Sequence, residues 1–262
     1  MVCKAKTAQL FLDLIDIIER LRAPNGCAWD REQTHESLLP YFLEEVYEVI
    51  ESVELKDWEV LKEELGDVLL HVLLQAQIAK ESNQFDIIDT IKGINGKLIK
   101  RHPHVFEKKK NKNRLQTKKD WEAQKHIEKN RKSRLDGVPI KLPALVRAQR
   151  LQEKASYAGF DWDKIEGAWE KLDEELNELK QAQKFGEIEN IKEEIGDVLF
   201  SVVNLSRFFN VAAEDMLRQA NRKFIKRFKN IEQKLKEEGK KLEDSNLEEM
   251  EKIWEQAKNQ TR

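Results

Sequence analysis

The sequence predicts an all-α protein made by tandem duplication of a four-helix-bundle-like unit, and three observations carry that expectation. Only 10 glycines and 5 prolines punctuate 262 residues, while 37% are charged and 40% hydrophobic; a chain so rich in Glu, Lys, Leu and Ile favours long helices over sheets. Apolar residues recur at three- and four-residue spacing along most of its length. The chain is also written twice. KEELGDVLL at 62–70 returns as KEEIGDVLF at 192–200, YFLEEVYEV at 41–49 as EKLDEELNEL at 170–179, and NGKLIKRH at 95–102 as NRKFIKRF at 221–228. WEAQK at 121–125 returns as WEQAK at 254–258, and RLRAPNGCAWD at 20–30 more loosely as RLQEKASYAGFDWD at 150–163. The order is shared, with an offset of 130 for the two acidic strings and 126 for the basic one. Ordered matches at a near-constant offset mark a duplicated domain.

The elements follow in order. Leu10, Leu14, Ile17, Ile18 and Leu21 share one face of a helix over 8–21, which Pro24-Asn25-Gly26 ends. Helices over 38–54, 58–82 and 86–101 complete the first copy, the last stopped by Pro103. The second copy repeats them over 144–157, 165–184, 187–209 and 213–238, and short turns make the neighbours antiparallel. The first domain is assigned to 1–106 and the second to 143–262, joined over 107–142 by a basic linker with a helical segment around Trp121. Residues 107–134 hold twelve Lys/Arg against four Asp/Glu, the mark of a solvated, partly flexible connection or of a polyanion-binding arm. A net charge of −2 speaks against a general nucleic-acid binder. Cys3 and Cys27 make neither a disulfide framework nor a zinc spacing. With no signal peptide and no long apolar run, a cytoplasmic protein without a membrane partner is expected.

The chemistry lies in paired carboxylates. Glu45 and Glu48 are three apart on one helix, and Glu64 and Asp67 are three apart on the next, so a fold-back brings four carboxylates to one place. Glu175, Glu178, Glu194 and Asp197 repeat the set, with Glu44 and Glu174 as extra neighbours. A single E-x-x-E pair usually marks a solvated face. Here the apolar runs 68–79 and 198–205 bury the helices on most sides, and packed carboxylates without a cation would cost several kcal/mol. An all-oxygen set suits Mg²⁺, or Mn²⁺, rather than zinc or copper. Neither His71 nor His126 has the Glu-x-x-His spacing of a di-iron bundle. Basic residues repeat beside the acids: Lys223 and Arg227, echoed by Lys97 and Arg101, with Lys171 one turn before Glu175. Trp254 and its counterpart Trp121 are placed either to stack on a base or in the core, as are Trp29 and Trp162. Gly66 and Gly196 are expected to admit a neighbouring helix beside the metal.

LEEVYE (43–48), EELGD (63–67), RHPHVF (101–106), GFDWD (159–163), EEIGD (193–197) and NRKFIKRF (221–228) together resemble the MazG nucleoside triphosphate pyrophosphohydrolases of the all-α NTP pyrophosphatase superfamily. The likeness spans nearly the whole chain. It implies Mg²⁺-dependent hydrolysis of nucleoside triphosphates between the α- and β-phosphates, a house-cleaning task, by a homodimer. It assigns Glu175, Glu178, Glu194 and Asp197 to the metal, and Lys171, Lys223, Arg227 and Trp254 to the nucleotide. Glu174 or Glu193 would take the water's proton. The copies differ, since Tyr41 stands where the second copy has Lys171. The first copy's quartet and its Lys97, Arg101 and Trp121 therefore fit metal or nucleotide binding better than turnover. The alternatives are a relative confined to dUTP, dCTP or phosphoribosyl-ATP, and a non-catalytic helical regulatory protein.

Overall fold

A computed structural model describes residues 3–106, 121–123, 126, 128, 129 and 131–260, and these form helices and turns with no strand among them. The basic run 107–120 lies outside the described residues. The chain divides into two units, Met1–Asn111 and Lys112–Arg262.

The first unit contains α1 (Lys4–Arg22), α2 (Ala28–Glu32), α3 (Leu39–Leu55), α4 (Trp58–Glu81), α5 (Ile87–Arg101) and α6 (Pro103–Phe106). Proline in the first turn of α3 presets its backbone without losing a needed donor. Lys56 ends that helix in the left-handed conformation, with φ 58°. Asp57 then caps α4 by accepting from the Val60 N–H. The two-residue turn folds α4 back along α3, which is what sets the acidic faces against each other. A capping box between Asp86 and Asp89 starts α5. Ile18, Leu38, Leu73 and Leu74 form the core, with Phe11, Leu14, Leu70 and Ile78 packed on it. Arg22 locks α1 to the end of α4 through Glu81, 2.7 Å away.

The second unit contains α7 (Ala144–Tyr157), α8 (Ile165–Phe185), α9 (Ile188–Phe208), α10 (Ala213–Glu237), the 3-10 turn Leu242–Asp244 and α11 (Leu247–Gln260). Gly186 at φ 73° makes the left-handed turn between α8 and α9 that Lys56 makes in the first unit. Ala168, Leu172 and Leu205 centre one cluster; Ile231, Leu235 and Ile253 centre another, beneath Phe228 and Trp254. The described part of 107–142 belongs to this unit. Glu122 is buried, with its carboxylate 3.3 Å from both Arg150 Nη2 and Lys154 Nζ of α7. Lys154 also donates to the Arg134 carbonyl at 3.1 Å.

Two expectations change. The helix α9 buries Ser201, Val203, Asn204 and Leu205 but leaves Leu199, Phe200 and Val202 exposed, so its apolar run is covered on one side only. Gly66 and Gly196 admit no neighbour, since a Cβ at either would meet nothing within 4 Å. Close approach occurs at Gly167, where a Cβ would lie 2.4 Å from the Trp162 ring, and at Gly26, where it would strike the Leu21 carbonyl. No single helix among the described residues is long and apolar enough to cross a membrane; α9 and α10 pass that test only as a pair bent by 104°.

Candidate active site

The helical hairpins gather three carboxylates in each unit. In the first, α3 supplies Glu45 and α4 supplies Glu64 and Asp67, with one oxygen from each within 4.8 Å of the others. In the second, α8 supplies Glu175 and α9 supplies Glu194 and Asp197, to the same tolerance. The expected fourth members, Glu48 and Glu178, are exposed and stand outside these trios. They remain close enough to act electrostatically: Glu48 raises the pKa of Glu45 and of Glu64, and Glu178 raises that of Glu194.

Three of these carboxyls, Glu45, Glu64 and Glu194, are held above the usual carboxylate range. Loss of hydration, then Asp67, Glu48 and Glu64, push Glu45 up to about 7. Glu64 is raised by dehydration and Glu48, against a lowering hydrogen bond from Glu45. Dehydration again leads the rise at Glu194, followed by Glu178, Glu175 and Asp197. Glu45 titrates higher in the fold than in the unfolded chain, so its neutral form favours the fold. That contribution is complete below about 4.5 and is lost as pH rises toward about 7. The melting temperature of the metal-free protein's first unit is expected to fall between pH 5 and pH 8, and Glu45→Gln should flatten that fall. Identical pH profiles for the two proteins would contradict this assignment.

In the second unit the buried Glu175 already has a cation, with Lys171 Nζ 2.8 Å from its Oε1 and 2.9 Å from Glu174 Oε1. Those hydrogen bonds, Glu175 first, raise the pKa of the ammonium and keep it charged. Tyr41 takes this place in the first unit and meets Trp29 edge to face, with ring centroids 6.1 Å apart. Glu44, Glu174 and Glu193 are exposed.

The nucleotide candidates separate into groups. Arg227 lies over the Trp254 ring at 5.4 Å, and Phe224 lies 5.3 Å from the same ring. Phe224, Phe228, Ile231, Met250 and Trp254 line a pocket of about 600 Å³ between α10 and α11, and no member of the carboxylate trio lines it. Lys223 is exposed on α10, and Lys97 on α5 with Arg101 at that helix's end. Trp121 belongs to the second unit and Lys97 and Arg101 to the first; its neighbour Glu122 is buried against Arg150 and Lys154. Trp162 packs on Gly167, and Asp161 beside it accepts from Arg207 Nη1 at 2.8 Å, so GFDWD clamps its loop to α9.

Two residues that the sequence did not single out brace the second unit: Arg207 and Glu122 are ordinary charges in a charge-rich chain until their partners are known. His71, without a di-iron spacing, is buried and stacked on Phe42 at 5.6 Å, with burial lowering its pKa against the pull of Asp67. Its counterpart Ser201 is also buried, so the repeat hid the substitution.

The residues fit a hard divalent cation. Each donor set is all oxygen, and Glu194 Oε2 is buried without a hydrogen-bond partner among the described residues. An unsatisfied buried carboxylate oxygen beside two more carboxylates is costly unless a cation joins it.

The MazG nucleotide pyrophosphohydrolase domain model matches the chain twice, at residues 33–106 and 165–232. The chain is 50% identical over 251 residues to the nucleoside triphosphate pyrophosphohydrolase/pyrophosphatase MazG of Thermotoga maritima, covering 95% of this chain and 96% of that protein. It is 40% identical over 253 residues to the nucleoside triphosphate pyrophosphohydrolase of Escherichia coli K12, covering 94% and 96%. It is 46% identical over 245 residues to the uncharacterized protein YabN of Bacillus subtilis, covering 92% of this chain and 50% of that protein.

Proposed function

The chain belongs to the MazG nucleotide pyrophosphohydrolase family, and from that premise we propose that it is a Mg²⁺-dependent hydrolase cleaving NTPs and dNTPs to the monophosphate and pyrophosphate. Near-full-length relatives named as nucleoside triphosphate pyrophosphohydrolases support the reaction. The carboxylate trio with an adjacent lysine, found among the described residues in the second unit alone, supports the place where it runs.

Glu175, Glu194 and Asp197 hold the cation, with Glu178 at the edge. When bound, the ion neutralises phosphate charge and acidifies water; Mn²⁺ would serve the same donor set. Lys171, Lys223 and Arg227 bind the departing pyrophosphate's oxygens, where charge develops as the α–β bond breaks. Trp254 and Phe224 offer the base an aromatic wall. Glu174 or Glu193, both exposed, accepts the water's proton. The first unit retains a trio for a cation but has Tyr41 in the lysine position; it is the binding, non-catalytic copy. A homodimer is supported by Ile195, Leu199 and Val202, exposed apolar residues on one face of α9. The substrate pool is the cytoplasmic one, and the role is house-cleaning of nucleotides.

Incubation with a panel of NTPs and dNTPs, with and without Mg²⁺, should release pyrophosphate and monophosphate only when the ion is present. Orthophosphate as the sole phosphate product would sink the α–β assignment, and no turnover would favour a non-catalytic binding protein.

A further inference from the structure

We infer that Lys171 is the resident countercharge of the second carboxylate trio: its ammonium holds Glu175 until a divalent cation arrives and is then released toward the substrate's phosphates. The inference rests on the metal reading above. The Glu175 side chain is 7% exposed, so water cannot meet its charge, and Lys171 Nζ does so from 2.8 Å. The same Glu175 contributes to the trio whose oxygens lie within 4.8 Å of one another. A dication among those oxygens and an ammonium bonded to the same Glu175 carboxylate repel strongly at such a separation. The two cations therefore compete for Glu175. The lysine is able to yield, because its side chain is 37% exposed and its flexible four-carbon stem can carry the ammonium away. Release frees a positive charge beside the metal at the moment a triphosphate needs one, so Lys171 couples metal occupancy to phosphate binding. The first unit is a built-in comparison: Tyr41 stands in the lysine position, and its trio has no such competitor among the described residues.

The test measures Mn²⁺ binding to the full chain by electron paramagnetic resonance of the free ion, with the melting temperature of the metal-free protein as a second readout. Glu64→Gln in the parent silences the first trio. On that background Lys171→Met should tighten Mn²⁺ binding about tenfold and lower the metal-free melting temperature, while Lys171→Arg keeps both near the parent. Loss of a merely structural contact would not tighten metal binding. On a Glu194→Gln background, Tyr41→Lys should weaken Mn²⁺ binding at the first trio, which decides the matter if Lys171→Met fails to fold. Unchanged or weaker binding by Lys171→Met, or unchanged binding by Tyr41→Lys, overturns the inference and leaves the metal reading standing. Parents that bind no Mn²⁺ overturn both.

Discussion

Glu194→Gln is expected to reduce pyrophosphate release by at least about 100-fold, whereas Glu64→Gln should leave most of it. The substitution keeps the volume of the side chain and removes its charge. Glu194 joins Glu175 and Asp197 within 4.8 Å, and its Oε2 is buried without a hydrogen-bond partner among the described residues. Removing the charge there takes away a cation ligand and relieves a repulsion, so the metal-free protein should melt no lower than the parent while activity collapses. Glu64 holds the equivalent place in the first unit, but Tyr41 stands in the lysine position there. Equal losses from the two substitutions would place turnover in both units, and a loss confined to Glu64→Gln would reverse the assignment.

Glu122→Ala should destabilise the second unit by about 3 kcal/mol, read as a drop in the urea midpoint at unchanged slope. Its carboxylate is buried and shared between Arg150 and Lys154, and Lys154 is itself only 7% exposed. Truncation leaves that ammonium facing the Arg134 carbonyl, a poor exchange for a full opposite charge in a site that water does not reach. Converting both, as Glu122→Leu with Lys154→Met, should recover most of the loss, since a packed apolar pair carries no desolvation cost. A loss below about 0.5 kcal/mol for Glu122→Ala, the level of ordinary surface changes, would show that the Trp121 segment adds nothing to the unit.

Both results bear on what could be read from residues alone. Spacing placed Glu64 with Asp67, and Glu194 with Asp197, on single helix faces, and the short turns at Lys56 and Gly186 made the fold-back that joins them to Glu45 and Glu175. Helical periodicity is local, so these contacts follow from rules that act over a few residues. Which members of each i,i+3 pair stand closest did not follow, because Glu45 with Glu48 and Glu64 with Asp67 share the same spacing and only packing decides which carboxylate faces inward. Glycine at 66 and 196 suggested a close helix contact, yet the contacts that need glycine are at Gly26 and Gly167, where loop geometry drives a carbonyl and a ring against the backbone.

The duplicated all-α plan, the two acidic sets, the all-oxygen donor chemistry and the loss of a lysine at Tyr41 were determined by sequence, since composition, period and repetition are properties of order along the chain. Tertiary structure decided that Glu45, Glu64 and Asp67, and Glu175, Glu194 and Asp197, come within 4.8 Å with Glu48 and Glu178 exposed beside them, that Lys171 already occupies Glu175, and that the segment from Trp121 packs with the second unit. Each of those depends on burial: a charge removed from water takes the nearest opposite charge, and which one is nearest is set by how the helices pack.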